Sequence, residues 1–235
     1  MAETELEAEV QEILKCIKNN QNFLLSGGAG SGKTFSLVSV IKSVIESNPT
    51  SRVACMTYTN AAVREIQERV NHKNLNVSTI HDFLWDNIKH FQKELKSALV
   101  NLVNDSEEKR IKVKDTPSSI SDCYFESSKI EYREYLKLEK GIVSHDELLI
   151  LANYLFKKYP KLSDIVKDRY KFIFIDEYQD TDKLVIEIFL EHFTQSKKKN
   201  VIGFFGDTMQ SIYDDGIGDL NEYINKALLQ FEWIA

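Results

Sequence analysis

Apolar residues recur along this chain in two alternating patterns: short unbroken runs, and stretches in which they stand three and four positions apart. Leu6, Val10, Ile13, Leu14 and Ile17 keep the helical spacing and stop at Asn19-Asn20, a pair suited to ending a helix. Phe23-Leu24-Leu25 is a compact run of strand type, and Phe35 to Ile41 returns to the helical period. After the break at Asn48-Pro49-Thr50, the run from Arg52 to Thr57 predicts a second strand. Ala62, Val63, Ile66 and Val70 then share one face of a helix that Asn60 is placed to cap. Asn76-Val77-Ser78 reads as a short third strand, Phe83 to Val103 as largely helical, and Glu147 to Tyr159 as a helix stopped by Pro160. Lys171 to Ile175 and Asn200 to Phe205 are nearly continuous apolar runs, the pattern of strands covered on both faces. Such alternation predicts an α/β fold with a mostly parallel sheet and helices on both faces. Between Asn104 and Lys140 the sequence turns polar, so residues 86–140 are expected to form an inserted, mainly helical subdomain. The main domain would then comprise residues 1–85 and 141–235.

At 235 residues and 43% hydrophobic content, the chain can bury a sizeable core and is not a disordered protein. No apolar run is long enough to span a bilayer and the first residues are acidic, which predicts a cytoplasmic protein with no membrane partner. The three cysteines, Cys16, Cys55 and Cys123, lack any paired spacing and read as free thiols. A formal charge of -6 means that any phosphate-binding surface has to be local. Composition alone gives no support to nucleic-acid binding.

Chemistry enters at Gly27-Gly28-Ala29-Gly30-Ser31-Gly32-Lys33-Thr34, which has the order of a phosphate-binding P-loop. Its glycines let successive N–H groups turn toward one anion, and the helix that begins there adds its positive end. Lys33 would neutralise the β- and γ-phosphates, and the Thr34 hydroxyl would ligate Mg²⁺. Position matters as much as composition, because the loop stands between a strand-like run and a helical one. Phe172-Ile173-Phe174-Ile175-Asp176-Glu177 then sets two carboxylates at the end of a buried strand, where open α/β sheets bind ligands. Asp176 would hold Mg²⁺ and Glu177 would polarise the water that attacks the γ-phosphate. Phe204-Phe205-Gly206-Asp207-Thr208-Met209-Gln210 repeats the design, with Gln210 placed to sense the γ-phosphate. The ligands implied are ATP and Mg²⁺.

Several motifs in order resemble those of the UvrD/Rep helicases of superfamily 1. Asp176-Glu177-Tyr178-Gln179-Asp180-Thr181 is similar to motif II, and Gly206-Asp207-Thr208-Met209-Gln210-Ser211-Ile212-Tyr213 to motif III. Thr57-Tyr58-Thr59-Asn60-Ala61-Ala62 resembles motif Ia, and Ser78-Thr79-Ile80-His81-Asp82-Phe83 the single-strand contact motif that follows it. His145-Asp146-Glu147-Leu148-Leu149 is similar to the segment where that family's chain returns from its insertion. The resemblance implies the first RecA-like domain of an ATP-dependent DNA helicase, coupling ATP hydrolysis to movement on single-stranded DNA or at a single-strand/duplex junction. It also implies that Lys33, Glu177 and Gln210 serve catalysis, that Gln179 and Asp180 support the metal and its water, and that Gln11 reads the adenine. Tyr58, Thr59, Asn60, Thr79, His81 and Tyr213 would line the path of the strand.

Two departures stand out. The family usually follows its motif III tyrosine with a Trp-Arg segment that stacks on a base, whereas Tyr213 here precedes Asp214-Asp215-Gly216. Arginine commonly follows the P-loop threonine near the base, whereas this chain has Phe35. In the family a second RecA-like domain supplies arginines to the transferring phosphoryl group, and nothing after Tyr213 offers one. The chain alone is therefore expected to bind ATP with Mg²⁺ but to hydrolyse it slowly, with the second domain in the same longer chain or in a separate subunit. An ATP-switched binding module without translocation is the alternative reading, and a small-molecule kinase ranks third.

Overall fold

The computed structural model describes residues 8–28, 32–113, 119–207 and 229–232. Helix α1 (Ala8–Lys18) leads to strand β1 (Phe23–Ser26), helix α2 (Lys33–Ser47), β2 (Val53–Thr57), α3 (Asn60–Arg69), β3 (Leu75–Thr79), α4 (Ile80–Ile88) and α5 (Gln92–Asn104). Two short strands, β4 (Glu131–Tyr132) and β5 (Ile142–Val143), pair with each other before α6 (His145–Lys158), α7 (Pro160–Arg169), β6 (Phe172–Asp176), α8 (Lys183–Leu190), β7 (Val201–Gly206) and β8 (Leu229–Glu232). Among the described residues the main sheet has six strands in the order β3-β2-β6-β7-β1-β8, and every pairing in it is parallel. Parallel strands aim their carboxyl ends at one edge, so Ser26, Thr57, Thr79, Asp176 and Gly206 all close at the same rim.

Continuous apolar runs bury both faces of the sheet. On one face Phe23, Leu25, Cys55, Phe174 and Phe205 pack with α1, α2 and α3. On the other, Leu24, Met56, Ile175 and Phe204 join a larger cluster with α4 to α8, which also takes in Ile111, Phe125, Ile130 and Leu138 from the segment between α5 and β5. Gly203 is a place of close approach, since a Cβ there would stand 2.3 Å from Cζ of Phe23.

Local chemistry sets most of the boundaries. Asn20 takes a left-handed conformation after α1, with Gln21 N–H bonded to the Cys16 carbonyl, as the Asn-Asn stop predicts. Thr59, rather than Asn60, caps α3 by accepting from Ala62 N–H at 3.2 Å, and Asn60 is the first helical residue. Ser144 and Glu147 form a capping box on α6. Pro160 both stops α6 and opens α7, because proline suits the first helical position as well as it breaks an interior. The largely helical stretch from Phe83 to Val103 is divided between two helices. Its apolar period continues through the break, but the Gln92 side chain holds the chain there by bonding the Lys89 carbonyl and both the N–H and carbonyl of Ile130. Such a contact across 38 positions leaves no periodic trace.

Candidate functional site

The P-loop begins directly from β1. Gly27 N–H donates to the Gly206 carbonyl at 3.0 Å, tying the start of the loop to the end of β7. Gly32 stands at the N-cap of α2 with φ of 87°, a left-handed conformation that a side chain would strain. The Lys33 ammonium folds back onto the loop, donating to the carbonyls of Gly27 at 2.7 Å and Gly28 at 3.0 Å. Thr34 is half-buried in the first turn of α2, beside an exposed Phe35. Gln11 is exposed on α1. Ala29, Gly30, Ser31, Gln210 and Tyr213 lie outside the described residues.

At the end of β6, Asp176 is 3% exposed, and its Oδ1 has no hydrogen-bond partner. Burial first, and the neighbouring Glu177 carboxylate second, push its pKa up to about 7, against the pull of a Glu177 backbone hydrogen bond and of the Lys33 charge. One register step past the Met56–Ile175 pair, the buried Thr57 hydroxyl also lacks a partner. Buried oxygens without partners at the ends of neighbouring strands are the donors a hard cation takes, so the residues present fit Mg²⁺.

Glu177 adopts φ of 50°, uncommon for a residue with a Cβ and a sign of local backbone strain. Its carboxylate accepts from Gln179 Nε2 at 2.5 Å, while Gln179 Oε1 accepts from Asp207 N–H at 3.0 Å. One buried amide thus links the loop after β6 to the loop after β7. Gly206 is what lets it fit, since a Cβ there would meet Gln179 Oε1 at 2.3 Å and the Tyr178 ring at 2.5 Å. The sequence reading names Gln179 but gives no sign of this link, which exists only because β6 and β7 are neighbours.

A cleft of about 1400 Å³ opens on the same rim. Tyr58, Thr59, Asn60, Thr79 and His81 all line it, so the loops after β2 and β3 bring together these candidate strand contacts. Gln179 and Asp180 from the loop after β6 reach it too. Thr79 is committed to structure: its hydroxyl accepts from Asp82 N–H at 3.1 Å and donates to the Asp82 carboxylate at 2.7 Å, capping α4. The cleft also holds Tyr132, Arg133, Tyr135 and His145, which motif spacing does not single out as strand contacts. Tyr132 OH lies 2.5 Å from His145 Nδ1, and the rings of His81 and His145 are 4.7 Å apart. Burial and the nearby carboxylates of Asp82 and Glu134 push Tyr132 up to about 12, while burial and the neighbouring His145 lower His81.

Fold and site together define a RecA-like P-loop α/β domain. The family model of the AAA domain AAA_19 matches residues 10–215. The chain belongs to this family, and within it to the UvrD/Rep-like superfamily 1 helicases. It is similar to the Gabija protein GajB of Bacillus cereus strain HuB5-5, at 30% identity over an alignment that takes in 97% of this chain and 46% of the relative. A probable DNA helicase II homolog of Rickettsia conorii is 31% identical over 81% of this chain and 35% of its own length. The ATP-dependent DNA helicase PcrA of Staphylococcus aureus is 25% identical over 81% of this chain and 32% of its own length. The chain thus spans less than half the length of these curated relatives. Among solved structures, the Pif1 helicase of Candida albicans aligns over 97% of this chain and 40% of its own, with a TM-score of 0.44 at 15% identity.

Proposed function

We propose that this chain is the ATP-binding domain of an ATP-dependent DNA helicase or translocase, in which hydrolysis drives movement along single-stranded DNA together with a second RecA-like domain. The observation that carries the reading is the buried, unpartnered Asp176 Oδ1 at the rim of a parallel sheet, where the P-loop also begins. Thr34 and Asp176 would hold Mg²⁺, which neutralises charge on the β- and γ-phosphates when bound. Lys33 exchanges its two loop carbonyls for phosphate oxygens. Glu177 orients the attacking water and takes its proton; the Gln179 amide occupies Oε2, so Oε1 is the receiving atom. Gln210 senses the γ-phosphate, and Gln11 and Phe35 neighbour the base. Tyr58, Thr59, Asn60, Thr79, His81 and Tyr213 follow the strand, and residues 86–140 form the insertion on the RecA-like domain of residues 1–85 and 141–235. The relatives' names and their greater length support the DNA substrate and the second domain, which would supply the arginines that stabilise the transferring phosphoryl group.

Equilibrium binding of a fluorescent ATP analogue with Mg²⁺, followed by single-turnover hydrolysis, tests this. The chain is expected to bind the analogue, Lys33→Ala to weaken it by roughly tenfold or more, and hydrolysis to fall about 10³ to 10⁵ below that of an arginine-assisted enzyme. Equal binding by Lys33→Ala and the wild type would refute the assignment.

A further inference from the structure

At the amino ends of the strands, opposite the nucleotide rim, the chain gathers positive charge. Strands β6 and β7 begin there at Phe172 and Val201, and the loop 196–200 that leads into β7 carries Lys197, Lys198 and Lys199 in succession. Lys167 and Lys171 hold this loop by its backbone. The Lys167 ammonium donates to the carbonyls of Phe193 at 2.8 Å and Lys198 at 3.0 Å, and the Lys171 ammonium to the Lys199 carbonyl at 3.3 Å and to Asn20 Oδ1 at 3.0 Å. Lys171 N–H donates in turn to the Arg52 carbonyl at 3.1 Å, which brings the foot of β2 to the same place. Arg52, Lys167, Lys171, Lys197, Lys198 and Lys199 thus share one end of the sheet. Two carboxylates are bonded among them: Asp168 pairs with Lys198, and Asp164 accepts from Ser196 Oγ at 2.5 Å. Arg52, Lys197 and Lys199 are exposed and have no ion partner among the described residues.

Crowding these cations works against folding by self-repulsion, and Lys197 and Lys199 add nothing to the core. A backbone fixed by two other lysines presents them to water instead, already arranged for a partner. The five residues of β6 put roughly 15 Å between its two ends, so the patch is a surface separate from the rim cleft. Which polyanion it fits follows from what it lacks. Among the described residues it exposes no aromatic ring, since Phe193 and Tyr170, the rings beneath Lys167 and Arg169, are both buried. Single strands are held by stacking on rings as much as by charge. Protein interfaces are poor in lysine and draw their energy from aromatic and arginine anchors. Duplex DNA needs neither, because its phosphates are dense and evenly spaced. We infer that this end of the domain is a second DNA contact, a lysine patch that takes the phosphate backbone of a duplex without reading its sequence. The choice of DNA rests on the helicase reading above, and the contact on the patch alone. A second domain reaching the nucleotide phosphates would cover the rim and leave this end open.

Fluorescence anisotropy of a labelled blunt-ended duplex across a salt series, with the full 235-residue chain, tests this. Three free cations predict a log–log salt slope of about −2.7, at about −0.9 for each phosphate neutralised. Lys197→Gln combined with Lys199→Gln removes two of them, so the slope should flatten to about −0.9 and affinity at about 0.1 M salt should fall by roughly 10- to 100-fold. Both side chains are exposed, and the double variant should keep the wild-type circular dichroism, bind the fluorescent ATP analogue as before and retain its binding to oligo(dT). Lys93→Gln, an exposed lysine of α5, is the control and should leave duplex binding unchanged. Scrambling the duplex sequence should change nothing either, as a backbone contact requires. Equal affinity and equal slope in the wild type and the double variant overturn the patch and leave the helicase reading standing. A wild type that binds the ATP analogue but no duplex does the same. Duplex binding lost in the double variant of a chain that binds no ATP analogue sustains the patch and overturns the helicase reading. Oligoglutamate bound more tightly than the duplex, and lost in the double variant, would overturn the DNA assignment in favour of an acidic protein segment.

Discussion

Gly206 ends β7 at a point where alanine has no room. A Cβ would stand 2.3 Å from Gln179 Oε1, and 2.5 and 2.7 Å from Cδ1 and Cε1 of Tyr178. Neither neighbour can swing into solvent, because both side chains are buried. The Gln179 amide has to shift, and its bond from Asp207 N–H is lost inside the protein. An N–H stranded in that way costs roughly 1–3 kcal/mol. Overpacking against the Tyr178 ring adds about 1–3 kcal/mol more. Gly206→Ala should therefore destabilise the fold by about 2–6 kcal/mol, a large share of the 5–15 kcal/mol typical of a folded domain. Urea unfolding followed by far-ultraviolet circular dichroism reads this directly. Gly28→Ala is the matched control, since a Cβ there meets nothing within 4 Å, and it should stay within about 0.5 kcal/mol of the wild type. Adding Gln179→Ala to Gly206→Ala removes the obstructing amide, so the double variant should fall short of the additive loss by about 1 kcal/mol or more. A Gly206→Ala midpoint indistinguishable from the wild type would show that the two loops are not locked together through Gln179.

Three further outcomes follow from the same structure. Asp176 has a folded pKa near 7 against an ordinary value of 3.8, so between these limits the folded state holds a proton that the unfolded state has released. Stability in metal-free buffer should fall as pH rises from about 4 to 7, by on the order of 4 kcal/mol more in the wild type than in Asp176→Asn; parallel pH profiles for the two proteins would contradict this. Thr79→Ala removes a cap that also anchors Asp82 and should cost about 1–2 kcal/mol in thermal unfolding, whereas Thr59→Ala, at an exposed cap, should cost about 0.5–1 kcal/mol. Gln92→Ala strands the Ile130 N–H and should lose about 1–3 kcal/mol, with faster amide exchange at Ile130 in hydrogen-exchange mass spectrometry as the check.

Unbroken apolar runs and glycine spacing are local properties, and they determined much of this protein by themselves. The runs ending at Leu25, Thr57, Ile175 and Phe205 each proved to be a buried strand of one parallel sheet, because a strand covered on both faces has to be apolar throughout. The glycine at position 32 was legible too, because the left-handed turn it makes at the start of α2 suits a residue without a Cβ. Spacing could not show which loops meet at the rim. Strand order β2-β6-β7-β1 decided that, placing Asp176 between Thr57 and the P-loop and letting one glutamine bridge Glu177 to Asp207. The break between α4 and α5 was hidden because its cause, the bonds of Gln92 to Ile130, lies across the fold. Tyr135 was equally silent in the sequence, where it is one of ten tyrosines. A loop tied at both ends to β5 sets its ring on the same cleft as Tyr58. Periodicity reports what each segment buries, and only the packing of distant segments determines what they share.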